Sequence, residues 1–560
     1  MTARVFNVNV GVLGHVDSGK TSLVAALSTS LSTAALDKNP QSKERGITLD
    51  LGFSSFTVPL PAHLRQLPYD ELQFTLVDCP GHASLIKTII GGAQIIDLMI
   101  LVVDVTKGIQ AQTAECLVVG EIATQHLLVA LNKTDLLPAE ARQKLIAKAK
   151  KRLGQTFAAT KFASCSMVAV SAKPGGGEGP GPGAAGLDEL TQQLVQLVPA
   201  QPRSPSGAFL FAIDHCFGIK GQGTVLTGTV LQGGLKLNDP LELPELKLAR
   251  KVKSMQMFKK PVQSCVQGDR VGICVTQLDA KLVERGIACS PGSVPTFTGA
   301  IVALEKIRFF AGKVLSKAKL HLTVGHATVM GEAQFFGVPD EEGQNPALAL
   351  QSLVKRVGQL ALKDNVPVFD FTREYLFQEE LYGLDGRPQA PASTAHDRQH
   401  PHYGPQWALV KFSQPVTAPH DALMIGSRFD ADMNSATCRL ACYGRVAALI
   451  DPANPQELQK LKIYKVKQKT GVVERVSKDG TSAICRSLFK KETDISLFTG
   501  MKVVTSAGEV GTIEGPFGKS GKFKVHFAGG VAPAAEGSAK QLTLTFKRYI
   551  FDHNKRHMAQ

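Results

Sequence analysis

The chain has 560 residues, 44% of them hydrophobic, with a formal net charge of +15 and a pI near 9.3: room for three to five domains, and a charge suited to a polyanionic partner. The basic excess is local, since residues 461–560 hold 18 Lys+Arg against 8 Asp+Glu and the rest is only mildly basic. The ten cysteines include no CxxC pair (Cys438 and Cys442 come closest), which argues against zinc and for reduced thiols in a cytosolic protein, and the most apolar stretch, 89–105, is too short and too polar to span a bilayer because Gln94 and Asp97 interrupt it.

In chain order, "MTARVFNVNVGVLGH" runs straight into a strand with no signal-peptide pattern, and "KTSLVAALSTSL" continues as a helix. The runs "FTLVDC", "LMILVVDV", "LLVALN" and "MVAVSA" then alternate with helical stretches up to about residue 200, the signature of a parallel sheet wrapped by helices. A Gly/Pro-rich loop (173–186) and a linker (199–207) follow. From 208 the texture changes to short strands with turn signals, as in sandwiches or barrels. Residues 384–405 read as a polar, mobile insert, and 452–460 mark another boundary before a last β-rich segment. The expected units are 1–202, 203–296, 297–458 and 459–560.

"GHVDSGKT" (14–21) stands between the first strand and the first helix and fits the phosphate-binding pattern G-x-x-x-x-G-K-[ST]. Its glycines, Gly14 and Gly19, let backbone N–H groups of Asp17, Ser18 and the helix start, through Ser22, face phosphates. Lys20 reaches the β- and γ-phosphates and Thr21 ligates Mg²⁺ in such a loop. Asp78 ends a later strand, where a carboxylate can hold Mg²⁺ through water, and Gly81 offers an N–H to the γ-phosphate. "NKTD" places Asn132, Lys133 and Asp135 at another strand end. Asp135 can accept from the ring N–H and exocyclic amine of guanine, a pair adenine lacks, and Lys133 can lie along the purine face. Ser171, Ala172 and Lys173 can reach the base carbonyl. Four elements in order, each at a strand end, predict GTP binding. In "KERGITLD", Thr48 is a switch candidate that would complete the Mg²⁺ shell only with γ-phosphate present, or else an ordinary strand-entry threonine. His82 stands where an imidazole can orient an attacking water, or is a helix-entry histidine without a role.

"GHVDSGKT", "RGITLD", "DCPGH" and "NKTD" together resemble translational GTPases of the elongation factor Tu-like family. The resemblance implies an N-terminal α/β P-loop GTPase domain followed by two Tu-like β-barrels and a C-terminal β-rich domain. It also implies that His82 positions water only on the ribosome, with Val16 and Ile47 as an apolar gate. Residues 217–243 and 252–275 look like the second domain of elongation factor Tu. "KERGITLDLGF", "DCPGHASLIKTIIGGAQIIDL", "DHCFGIKGQGTV", "VKSMQMF", "SLFKKETDI" and "LTFKRYIFD" are similar to the selenocysteine-specific elongation factors of eukaryotes and span nearly the whole chain.

That resemblance puts Asp214, His215 and Arg270 in a selenocysteine pocket. A selenol is more acidic than a thiol, so a cationic pocket favours the selenolate and rejects uncharged serine. Read without the family, Arg270 is a solvated loop arginine and Asp214–His215 a turn pair. The resemblance further implies a monomer that binds GTP/GDP with Mg²⁺, selenocysteinyl-tRNA, the ribosome and the machinery that recognises the selenocysteine-insertion RNA element. The basic strands at 462–475 and "FKRYIFDHNKRH" can contact RNA phosphates or form a solvated basic face, with "SLFKKETDI" and "GKSGKFKVHF" as further candidates. Some relatives carry a longer basic stretch suited to nuclear import, but 529–544 has almost no charge, so the expected location is cytoplasmic. Two other readings are a tRNA-carrying GTPase of general elongation or initiation type, and a GTP-gated RNA-binding scaffold.

Overall fold

A computed structural model of the chain describes residues 4–31, 51–80, 95–158, 160–173, 184–339, 368–383, 406–429, 438–518, 520–532, 540–552 and 558–560. Strand β1 (Val5–Gly14) alternates strictly. Phe6, Val8, Val10 and Val12 enter one apolar core, while Asn7, Asn9 and Gly11 occupy the opposite face. It is the centre of a seven-stranded sheet with β2 (Ser30–Leu31), β3 (Gly52–Pro59), β4 (Glu71–Asp78), β5 (Leu98–Asp104), β6 (Leu127–Asn132) and β7 (Ser166–Ala169), in the order β2-β3-β4-β1-β5-β6-β7. Helices α1 (Lys20–Leu27), α2 (Ala111–Ala123), α3 (Arg142–Phe157) and α4 (Leu187–Leu197) accompany it.

The sheet departs from the all-parallel reading at one edge, where β3 runs antiparallel to β4 and β2 to β3. The connection 60–70 contains only a single 3₁₀ turn, Ala62–Leu64, and a parallel return needs a crossover of a dozen residues or more.

The second unit is a closed antiparallel barrel. Its strands are β8 (Leu210–Ile219), β9 (Gly223–Gln232), β11 (Pro240–Leu243), β12 (Leu248–Met257), β15 (Arg270–Val275) and β16 (Gly286–Cys289), and the β11–β12 pairing closes the ring. The short strands β10 (Gly234–Lys236), β13 (Lys260–Val262) and β14 (Ser264–Val266) lie outside that ring. Phe209, Phe211, Leu226, Val271 and Ile273 help fill the interior.

Beyond it, fourteen described strands form one hydrogen-bonded sheet that contains two more closures. Lys319–Val324 pairs with both Leu423–Ser427's strand and Ala327–Gly337, closing a third-unit barrel. Lys462–Val476 pairs with both Ser482–Arg486 and Gln541–Tyr549, closing another in the basic C-terminal unit. The sequence reading named that unit only β-rich. Glu374–Gln378 joins the two barrels: it pairs with Ala327–Gly337 on one side and, in parallel, with Lys462–Val476 on the other through Glu374↔Lys462, Tyr375↔Ile463 and Leu376↔Tyr464. Side chains reinforce the joint. Glu374 accepts from Lys547 Nζ at 2.7 Å and from the Tyr549 hydroxyl, and Lys465 reaches Glu379 at 2.7 Å while lying over the Phe377 ring. The insert at 384–405 lies outside the described residues.

Candidate nucleotide and aminoacyl sites

β1 delivers the chain to the phosphate loop. Gly19 caps α1 with φ of +89°, and a Cβ there would sit 2.3 Å from Asn132 Nδ2, so the loop admits only glycine at this point. Lys20 opens the helix buried, its ammonium donating to the His15 carbonyl at 2.9 Å. Burial pushes Lys20 below the usual lysine range, against the opposing effect of acidic groups around it, Asp78 among them. The Ser18 hydroxyl is buried in the same loop without a hydrogen-bond partner. An anion in the loop would satisfy both groups, so the residues present fit a polyphosphate. Thr21 donates to Asp78 Oδ2 at 2.7 Å, which brings together the two hard oxygen donors that a phosphate-bound Mg²⁺ takes from protein.

The base end is tied to the phosphate end by Asn132. Its Nδ2 donates to the Ser18 carbonyl at 3.0 Å, and its Oδ1 accepts from Ala172 N–H at 3.2 Å. One side chain thus fixes the phosphate loop, "NKTD" and "SAK" together. Ser171 donates to Asp135 Oδ1 at 2.6 Å, orienting the carboxylate that faces guanine in the sequence reading. Lys133 adopts a left-handed backbone and pairs with Asp104 at 2.9 Å. Burial raises the Asp104 carboxyl, but hydrogen bonds from Thr106 and Lys133 outweigh it and hold the group below its usual range. Asp135→Ala should lower GDP affinity by about 100-fold or more, the loss of two charge-assisted hydrogen bonds, with no change for ADP. Titration with fluorescent nucleotides measures it. Ile47, Thr48, Gly81 and His82 lie outside the described residues, and Val16 lies beside the phosphate loop with its N–H on Gln112 Oε1.

Asp214, His215 and Arg270 meet on the second barrel. Arg270 Nη1 donates to Asp214 Oδ2 at 2.5 Å, while Asp214 Oδ1 accepts from Thr227 at 2.9 Å and lies 3.0 Å from His215 Nδ1. Burial pushes the Asp214 carboxyl up, but the Arg270 guanidinium and the His215 contact more than offset it and leave it below the usual range. Arg270 is 4% exposed, so it is no solvated loop arginine. Its Nε and Nη2 are buried without hydrogen-bond partners. The guanidinium lies 3.1 Å from the ring centroid of Phe53, a residue of the first domain, and the His215 ring meets Phe53 edge-on. A cavity of about 80 Å³, lined in part by Phe217, Thr227, Phe258 and Arg270, opens beside the cluster.

The first domain also fixes the loop ahead of Arg270. Asn7 and Asn9, on the polar face of β1, both donate to the Gly268 carbonyl at 2.8 Å. Arg203 of the linker forks onto Asp97 and packs so closely under Gly268 that a Cβ would lie 2.5 Å from Arg203 Nε.

In the C-terminal barrel, Lys522 and Lys524 pair with Glu474 and Glu514, so part of the basic excess is neutralised internally. Lys469 lies over Phe489 and Phe498, and its ammonium is pushed down by burial first and then by the charges of Arg548 and Lys490.

Residues 6–200 match the model of the elongation factor Tu GTP-binding domain. Residues 301–444 match that of the eukaryotic selenocysteine-specific elongation factor third domain, and 459–541 that of the eEFSec C-terminal RIFT domain. A mouse selenocysteine-specific elongation factor is 50% identical to this chain, with 99% of each covered. The chain belongs to the selenocysteine-specific elongation factor family. A second member, from Methanocaldococcus jannaschii, is 37% identical over 58% of this chain and 65% of its own length. The solved structure of SelB from Methanococcus maripaludis with the GTP analogue GPPNHP superposes with a TM-score of 0.67 at 23% identity, over 98% of this chain and 99% of that one. As a member of the family this factor is a translational GTPase that serves selenocysteine incorporation.

For a selenocysteine-specific factor, the residues that sequence reasoning missed are Phe53, Asn7, Asn9 and Arg203. The two asparagines interrupt an otherwise apolar strand, which was a visible signal. Phe53 follows "RGITLDLG" as an ordinary strand phenylalanine, and nothing local points from it to a residue more than two hundred positions away.

Proposed function

We propose that this factor binds selenocysteinyl-tRNA in its GTP form and delivers it to the ribosome at recoded UGA codons, hydrolysing GTP there. The observation that carries this reading is the buried Arg270 with two unpartnered guanidinium nitrogens beside Asp214, His215 and a small cavity. A selenolate supplies the anion those nitrogens lack, whereas serine supplies no charge and leaves them unsatisfied. His215, held by Asp214 through Nδ1, offers a second donor through Nε2 in its protonated form.

In the first domain Lys20 and the loop N–H groups hold the phosphates, Asp135 selects guanine, and Asn132 keeps the two ends in register. Thr21, Asp78 and Thr48 would hold Mg²⁺, which when bound neutralises phosphate charge. His82 orients the attacking water once ribosome contact opens the Val16–Ile47 gate. The units 1–202, 203–296, 297–458 and 459–560 act as GTPase, two tRNA-gripping barrels and an RNA-reading barrel. No helix among the described residues is long and apolar enough to cross a membrane. The working location we assign, from the family's part in translation, is cytoplasmic.

Capturing RNA on the GTP-analogue form and sequencing it tests the cargo: the selenocysteine tRNA should dominate, and general elongator tRNAs in its place would sink the proposal. His82→Ala should reduce ribosome-stimulated hydrolysis by about 100-fold or more without weakening nucleotide binding, as loss of a water-positioning group does. Unchanged turnover would favour a GTP-gated scaffold.

A further inference from the structure

Asp104 ends β5, which lies between β1 with its phosphate loop and β6 with "NKTD", and its partner across the sheet is Asn132. The carboxyl ends of such central parallel strands border the crevice where α/β sheets bind ligands. The Asp104 side chain is buried there and pinned. Its Oδ1 accepts from the Thr106 backbone N–H at 2.9 Å and from the Thr106 hydroxyl at 2.6 Å. The backbone N–H groups of Lys107 and Gly108 close on its carbonyl. Its Oδ2 meets Lys133 Nζ at 2.9 Å. Lys133 starts just past the end of β6, at φ of +65°, where it caps the 3₁₀ turn Thr134–Leu136. With its Cα beside one strand end and its ammonium at the next, the lysine stem crosses the gap between them, about 5 Å, toward β1. The stem is 28% exposed, so a face of it stays open. A free lysine stem samples many rotamers, and a ligand that must fix it loses affinity.

We propose that Asp104 is a positioning residue for the guanine nucleotide: it holds the Lys133 ammonium so that the stem lies ready for the purine face before nucleotide arrives. The same contact keeps that ammonium off the phosphates, which are left to Lys20. The proposal rests on the reading of Lys133 as the purine-face residue and goes beyond it by naming what sets it in place. An aliphatic stem packs on any purine ring and does not sense the groups at its edge. Asp104 therefore serves guanine and hypoxanthine nucleotides alike, whereas Asp135, which faces the edge, separates them.

The test is competition against a fluorescent GDP derivative on the full chain with Mg²⁺, using GDP, inosine diphosphate and inorganic tripolyphosphate. Asp104→Asn keeps the volume and the acceptor for Thr106 and removes the charge. It should weaken GDP and inosine diphosphate by the same factor, about three- to tenfold, the scale of ordering one long side chain on binding, and leave tripolyphosphate unchanged. Lys133→Ala should weaken GDP at least as much, and adding Asp104→Asn to it should cost nothing further, because the two residues act through one contact. A matching loss for tripolyphosphate, or losses that add in the double variant, would assign Asp104 to the stability of the strand end and overturn the proposal. So would a neutral Asp104→Asn beside a damaging Lys133→Ala, since the lysine would then work without its anchor. Unchanged GDP affinity in Lys133→Ala would remove the purine-face reading itself, and the proposal with it.

Discussion

Arg270→Ala should weaken selenocysteinyl-tRNA binding by about 100-fold or more and leave seryl-tRNA binding nearly unchanged, because removing one partner of a buried charged contact costs about 3–5 kcal/mol. Arg270 is the buried cation of the proposed aminoacyl pocket, enclosed by Asp214 and the Phe53 ring. Competition binding with the two aminoacyl forms of one tRNA reads the difference directly. Arg270→Lys should rescue little, since a lysine keeps the charge but loses the planar face that lies on Phe53 and the spare donors. Asp214 is left buried in the alanine variant, so the fold must be checked by thermal unfolding, and Asp214→Asn with Arg270→Ala relieves that stranded charge. An equal loss for both aminoacyl forms would assign Arg270 to barrel stability and remove it from discrimination.

Arg439→Ala should release the first domain from the third-unit barrel. Arg439 forks onto Glu115 of α2 with Nε and Nη2 both at 2.9 Å, and its backbone N–H adds a third donor at 3.2 Å. Both side chains are buried, so the alanine variant strands a carboxylate in the interface at a cost of about 3–5 kcal/mol. The neighbouring contact, Arg308 on Glu121, is more exposed and contributes less. Calorimetry should resolve the wild-type chain's coupled transition into an earlier unfolding of the first domain, and limited proteolysis should cut the 199–207 linker faster. The double variant Glu115→Leu with Arg439→Met should restore much of the coupling, because it fills the same volume without a charge to desolvate. A single variant that unfolds like wild type would mean that the interface is held by its apolar contacts alone.

The parts of the candidate nucleotide site were legible because each is a short segment at one strand end: Gly19 to Thr21, Asp78, Asn132 to Asp135 and Ser171, which the fold brings together. The strand-and-barrel division was legible for the same reason, since alternation and turn residues act within about ten positions. What escaped depends on distant packing. The antiparallel turn of β3 follows from the brevity of 60–70, and the closure of the C-terminal barrel follows from Lys462–Val476 meeting Gln541–Tyr549. Phe53 on Arg270 is a contact between domains that no local pattern announces, and Asn7 and Asn9 are visible as polar breaks in an apolar strand without any sign that Gly268 is their partner. Basic residues were legible as charge but not as partners: Lys522 and Lys524 turned out to be spoken for within their own barrel.

The strand Glu374–Gln378 has a metrical consequence. Because it is hydrogen-bonded to both barrels and clamps Lys547 and Tyr549 through Glu374, the two barrels share one frame. Rotation of one against the other must first break a row of backbone hydrogen bonds. Lys469 and Arg548 therefore stand at a set distance from the third-unit barrel, and an RNA that touched both barrels would be measured against a rigid gauge. On the proposed tRNA-binding function, an arm too short or too long by a few base pairs would fail at one barrel when it seats at the other, so length alone would separate one tRNA from the rest before any base is read.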